Sequence, residues 1–293
     1  MRTGSAAPHP GSAALADQAR QFAQELATAI GRGSVELPGW SQMTERARAA
    51  LADEDLDDER LAHLLTAEAG LAVRVLTIAN AAMFATSGSR TTDLKLAVMR
   101  LGRDCVRSAV YTYALAQLRH GPKLLHLRAE LRQLWRESTA VATLSRLVAA
   151  ATAVVDPDEA LLAGLLHNIG KLGLLAQLDG APAQLRASPG RDALLISSHA
   201  RIGLALALNW QLPEAVCTAI AEQDTLEATR GGRPNLNDVL AVAVIGSGVE
   251  QDAGQVAAHL TEFSRFGLDA DRWLELLQRA RLESAALRNA FGE

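Results

Sequence analysis

Glu159-Ala-Leu-Leu-Ala-Gly-Leu-Leu-His167-Asn168-Ile-Gly170-Lys171-Leu-Gly173-Leu-Leu175 is the stretch on which the reading of this chain turns. It sets a histidine, an amide and a lysine inside an otherwise apolar run. It therefore reads as a buried helix whose polar groups need hydrogen-bond partners inside the protein. Just upstream, Asp156-Pro157-Asp158-Glu159 is a helix start. Asp156 can serve as N-cap, Pro157 fits the first helical position, and Glu159 completes a capping-box-like pattern. His167, Asn168 and Lys171 are either a site or what remains of one.

Around this stretch the composition is that of a helical globular protein. The chain has 293 residues, 49% of them apolar and only 4% aromatic. That is ample for a sizeable core and, with Ala, Leu, Glu and Arg abundant, favours helix nearly throughout. A net charge of -4 and a pI near 6.0 give no general attraction for nucleic acid. Cys105 and Cys217 stand far apart in apolar helical patterns and read as buried reduced thiols, which fits a cytoplasmic location. The longest apolar run, Thr139 to Val155, is interrupted by Arg146 and is short for a bilayer span, so no membrane segment is read. Residues 1–12, with Gly4, Pro8, Pro10 and Gly11 and no apolar core, read as a disordered tail rather than a targeting signal.

Residues 13–33 read as a leading amphipathic helix, with Leu15, Ala19, Phe22, Leu26 and Ile30 at helical spacing and a stop at Gly31-Arg-Gly33. Further helices follow over 41–51, over 60–84 as two short pieces with Gly70 near their junction, and over 92–101 and 104–118, divided by Gly102. Gly121-Pro122 breaks the chain before one long helix over 123–153. Beyond the opening stretch, 180–190 reads as loop and 192–210 as helix. The helix over 214–223 starts at Leu212-Pro213, and 237–250, 255–263 and 271–289 are the last helices.

Glu36-Leu-Pro38, Leu76-Thr-Ile-Ala-Asn80, Ala97 to Gly102, Leu134-Trp135, Ala163-Gly-Leu-Leu-His167, Ile169-Gly-Lys171, and His199 through Gly203 to Trp210-Gln-Leu-Pro213 follow one another in order. This series resembles the bacterial HDOD family, part of the wider HD-domain superfamily of metal-dependent phosphohydrolases. The resemblance implies an all-α fold, a multi-helix HD-domain-like bundle with little or no β-sheet. Residues 34–230 would form the HDOD domain, and residues 231–293 would add C-terminal helices packed on its core.

In active members of that superfamily, histidines and an adjacent His-Asp pair hold a divalent metal that activates water. Such a site needs an anionic ligand beside its neutral imidazoles. Here Asn168 follows His167 where the pattern has Asp, Glu137 stands where it has His, and Gln223, in Glu222-Gln223-Asp224, lies where histidines are common. Three readings follow. His167, Asn168 and His199 are hydrogen-bonded core residues at a former active site. Alternatively a residual phosphohydrolase keeps a metal on Glu137, His167 and His199, with Gln223 or Asp224. The third reading is a metal-free pocket that senses a nucleotide or other phosphate, with Lys171 as its anion anchor. The first is the main expectation, with no catalytic residue, no metal and no cofactor. It implies a non-catalytic signalling or regulatory protein acting on a separate protein partner, since the family commonly accompanies two-component and cyclic-dinucleotide signalling. The Ala-rich faces of the first and last helices are the expected docking surfaces.

Other candidates reduce to structure. Arg128, Arg132 and Arg136 recur every four residues, with Lys123 and His126 upstream, but Glu130 and Glu137 are interspersed and a solvated face is expected. Cys105 follows Asp104, whose charge opposes a reactive thiolate. Ser197 and Ser198 precede His199, yet neighbouring helical positions point in different directions. Gly-rich phosphate loop, CxxC and GxSxG motifs are all missing.

Overall fold

The computed structural model describes residues 10–35, 42–53, 55–81, 90–120, 122–187, 189–224, 233–248 and 263–290, and all regular structure among them is helical. Helix α1 (Pro10–Gly31) begins inside the stretch read as a tail, since proline is tolerated in a first helical turn. Residues 1–9 of that tail lie outside the described residues. The helix ends in a Schellman motif: Gly33 takes a φ of +66°, its amide donates to the Ile30 carbonyl at 2.9 Å, and the Ser34 amide donates to Ala29 at 3.0 Å.

Helices α2 (Gln42–Ala52), α3 (Asp58–Thr66) and α4 (Ala69–Ala79) follow. Asp57 caps α3 by accepting from the Arg60 amide at 2.7 Å. At the end of α4, Asn80 clasps Thr91 from both sides. Its amide donates to the Thr91 carbonyl at 2.9 Å, and its oxygen accepts from the Thr91 N–H at 2.8 Å. The asparagine of the Leu76–Asn80 motif therefore pins the chain's return into α5 (Leu94–His120). Gly102 interrupts α5 with φ +71° and ψ 167°, a conformation in which a side chain would be strained, and so divides the two helical runs seen in the sequence.

The long helix expected over 123–153 is split. A 3-10 segment (Pro122–Leu127) precedes α6 (Arg128–Thr152), and its three-residue period lets Leu124 and Leu127 bury on one side. The opening stretch is also divided. Asp156 accepts from the Asp158 and Glu159 amides at 2.8 and 3.0 Å and caps α7 (Pro157–Leu166). The chain then turns at His167-Asn168 before α8 (Ile169–Ala176), and the His167 carbonyl accepts from the Gln223 amide at 2.9 Å. A 3-10 turn (Leu178–Gly180) runs up to the region read as loop, and within that region α9 (Ala183–Arg186) forms and buries Leu185. Helices α10 (Gly190–Asn209), α11 (Glu214–Glu222), α12 (Leu236–Gly248) and α13 (Ala270–Ala290) complete the described elements. The segment Glu36-Leu-Pro38 and all but the last residue of the 255–263 helix lie outside the described residues.

Ala160 to Leu166 of α7 are all buried. Helix α7 packs against α5, α6, α11 and α12. Its Ala160, Leu162, Ala163 and Leu166 join the core built with α1, α10, α11, α12 and α13, whereas Leu161 and Leu165 join the one built with α2 to α5. Helix α1 packs on α10, and α12 and α13 pack on α6. The apolar faces expected to await a partner are thus used within the chain: Ala19, Ala23, Leu26 and Ile30 of α1 and Trp273, Leu276, Leu277 and Ala280 of α13 are buried.

Glycines allow two close helix contacts beside the α7–α8 turn. A Cβ at Gly164 would lie 2.4 Å from the Ala142 Cα, and one at Gly170 would lie 1.8 Å from the His199 carbonyl oxygen and 2.7 Å from the Gly203 nitrogen. Helices α8 and α10 therefore meet backbone to backbone, and neither obstructing atom belongs to a side chain that could swing away. Gly170→Ala is expected to destabilise the fold by about 3 kcal/mol, read from the urea midpoint. Gly180→Ala, where a Cβ meets nothing within 4 Å, should stay within about 0.5 kcal/mol of the parent. Equal stability of Gly170→Ala and parent would contradict the close approach.

Candidate functional site

The turn between α7 and α8 delivers His167 to a cleft of about 980 Å³. Helix α6 contributes Gln133, Arg136 and Glu137, α8 contributes Lys171, and α10 contributes Ile196 and His199. Gln223 and Asp224 follow α11, while Val244 and Ser247 of α12 and Arg288 of α13 close the far side. The structure thus brings together Glu137, His167, Lys171, His199, Gln223 and Asp224, all singled out in the sequence. Asn168 is buried and reaches the cleft through Glu137.

His167 ends α7, and its Nδ1 lies 2.7 Å from the Gly164 carbonyl. That nitrogen carries the proton, so Nε2 is the ring's acceptor. Burial pushes the imidazole pKa from its ordinary 6.5 down to about 4, against the Gly164 hydrogen bond and helped by the charges of Lys171 and His199. His167 is therefore neutral near pH 7. His199 turns its Nδ1 to the Leu195 and Ile196 carbonyls at 3.0 and 3.2 Å and its Nε2 to an Asp224 carboxylate oxygen at 3.3 Å. Gln223 lines the cleft and also braces the backbone, its amide donating to the His167 and Ile220 carbonyls, both at 2.9 Å.

Asn168 makes no cap hydrogen bond at the start of α8. Its amide faces a Glu137 carboxylate oxygen at 3.5 Å, and Gln133 donates to the other oxygen at 3.0 Å. An aspartate in this place would set two carboxylates against each other, so that the pair would have to share a proton or a cation. The asparagine meets Glu137 as a neutral amide and leaves its own buried Oδ1 without a hydrogen-bond partner. Among the described residues no three His, Cys, Asp or Glu side chains converge in a group able to hold a metal ion. Of the set Glu137, His167 and His199, Glu137 accepts from two amides and the His199 Nε2 faces Asp224.

The remaining candidates separate. Arg128 and Arg132 are exposed outside the cleft, whereas Arg136 lines it; the side chain of Lys123 is outside the described residues. Ser197 and Ser198 pair with each other at 3.2 Å. Burial raises the Cys105 thiol well above its ordinary value, as expected of a packing cysteine. Sequence reasoning missed Gln133, Ser247 and Arg288 as cleft residues. Gln133 stands four positions before Glu137 on one helix face, which is a legible signal; the other two come from distant helices and carry none.

The depressed His167 pKa makes stability depend on pH. Between the unfolded value near 6.5 and the folded value near 4, the unfolded chain takes up a proton that the folded chain refuses, so stability falls as the solution is acidified through that window. Acidifying from about pH 6.5 to about pH 5 should remove ~2 kcal/mol through this residue. Urea titrations of the parent and His167→Gln should differ by this slope, and parallel curves would show that His167 does not titrate as its burial requires.

The HDOD domain profile matches residues 37–226 of the chain. An uncharacterized protein of Treponema pallidum (strain Nichols) is 26% identical over 210 residues, which cover 67% of this chain and 39% of that protein. The chain thus spans well under half of that relative's length. Among solved structures, an HDOD domain protein of unknown function from Geobacter sulfurreducens superposes with a TM-score of 0.60 at 22% identity, over 93% of this chain and 98% of its own. A Shewanella amazonensis SB2B protein provisionally named a metal-dependent phosphohydrolase gives a TM-score of 0.66 at 18% identity, over 90% of this chain and 99% of its own. One from Marinobacter aquaeolei VT8, provisionally named a signal transduction protein, gives 0.60 at 19% identity, over 94% of this chain and 66% of its own. At such identities the likeness is one of fold. No helix among the described residues is long and apolar enough to cross a membrane. With the profile covering more than half of the chain and the helical bundle in place around His167, the chain belongs to the HDOD domain family.

Proposed function

We propose that this protein is a bacterial signalling or regulatory HDOD module, cytoplasmic and without a cofactor, that acts through contacts with a protein partner and does not hydrolyse a substrate. The observation that carries this reading is the amide of Asn168 facing the Glu137 carboxylate at 3.5 Å. Metal-assisted hydrolysis requires a cation that lowers the pKa of bound water and orients it. The His167-Asn168 pair offers that cation no anionic ligand, and Glu137 is engaged by the amides of Asn168 and Gln133. The provisional signalling name of the Marinobacter aquaeolei protein agrees with a regulatory role.

Metal analysis tests the reading. Protein purified without chelator is expected to carry divalent metal well below stoichiometry, unchanged in His167→Ala, and to leave bis(p-nitrophenyl) phosphate intact with Mn, Mg, Fe or Zn present. Stoichiometric metal lost on His167→Ala, or metal-dependent turnover, would overturn it. Asn168→Asp supplies a second check. It recreates a carboxylate pair beside Glu137 and should lower stability at neutral pH by about 2 kcal/mol in chelator, with part of the loss recovered on adding a divalent cation.

A further inference from the structure

Arg136, Glu137, Lys171, Asp224 and Arg288 are the charged side chains that line the cleft. Both of its carboxylates are engaged: Glu137 accepts from Gln133 and Asn168, and Asp224 meets His199. Lys171 also lines the cleft and is only partly exposed, yet among the described residues it has neither an ion pair nor a hydrogen bond. A partly desolvated ammonium without a counter-ion gains from any anion that reaches it.

Two further features of the same wall suit a small molecule rather than bulk ions. His167 is buried and tied to the backbone through Nδ1, so its Nε2 is an acceptor for an O–H or N–H group. Ile196 lines the cleft and is 74% exposed, an apolar surface without a cover. The volume of about 980 Å³ lies at the upper end of the range of about 300–1,000 Å³ common for small-molecule sites.

We infer that the cleft is a metal-free receptor for a small organic oxyanion, a phosphate or carboxylate compound. In this receptor the Lys171 ammonium pairs with the oxyanion, and His167 Nε2 accepts a hydrogen bond from the same ligand. The inference rests on the non-catalytic reading of the site and gives the regulatory module an input. The binding step is reversible and noncovalent.

Isothermal titration of the full chain in excess EDTA tests it, with inorganic phosphate, adenosine monophosphate and citrate as probes. Adenosine, and sodium chloride of matched ionic strength, serve as controls. At least one oxyanion is expected to bind where the controls do not, and citrate against adenosine monophosphate tells a carboxylate from a phosphate source. Lys171→Met should weaken that binding by about tenfold or more, Lys171→Arg should retain most of it, and the unliganded unfolding midpoints check that both variants fold. No binding by any oxyanion, or equal binding by Lys171→Met, overturns the inference while leaving the non-catalytic reading intact if no hydrolysis is found. Binding that appears only with a divalent metal overturns the inference, and metal-dependent turnover in the same samples overturns the non-catalytic reading as well.

Discussion

Because Ala160 to Leu166 are buried on every side, the polar residues that come directly after them meet protein rather than water. Most of them find protein partners, although the Asn168 Oδ1 has none. Gly164 offers its carbonyl to the His167 ring, Gln223 takes the His167 carbonyl, and α6 presents Glu137 to Asn168. Buried polar groups left unpaired cost about as much as several surface contacts contribute. The α7–α8 turn therefore ties α6, α7 and α11 into one arrangement, and the glycines that let helices approach to backbone contact lie beside it at Gly164 and Gly170.

That arrangement also determines the electrostatics of the cleft. A carboxylate facing a second carboxylate must share a proton or a cation with it, whereas a carboxylate facing an amide can accept a hydrogen bond in its charged form. With Asn168 the turn presents a neutral amide to Glu137, and Lys171 lines the cleft alongside Arg136 and Arg288. The neutrality of His167 belongs to the same logic. Its burial and the nearby Lys171 both disfavour a second positive charge, so the ring serves as an acceptor rather than as a cation.

Some of this was legible without coordinates. The helical class followed from composition, and Asp156-Pro157 announced the start of α7 because capping is a local interaction that a few adjacent residues settle among themselves. Gly102 divided α5 for a reason equally local, its positive φ. The motif residues around His167 marked the family and the place of the site, and the asparagine after the histidine already carried the decisive chemical change. Less legible were the split of the opening stretch into α7 and α8 and the 3-10 segment at Pro122–Leu127. Both depend on which neighbour each turn packs against, and apolar spacing alone reads the same either way.

Tertiary structure decided what each polar residue does. Gln223, read as a vestigial site position, donates to a backbone carbonyl 56 positions away. The Ala-rich faces of the first and last helices looked available and are core surfaces. Arg288 and Ser247 reach the cleft only because α12 and α13 pack on α6. Residue order specifies local conformation and the supply of charges and apolar surface, since these belong to single residues or short spans. Which charge ends up balanced is a property of distances between elements far apart in the chain, and only the packed bundle, with α7 at its centre, sets those distances.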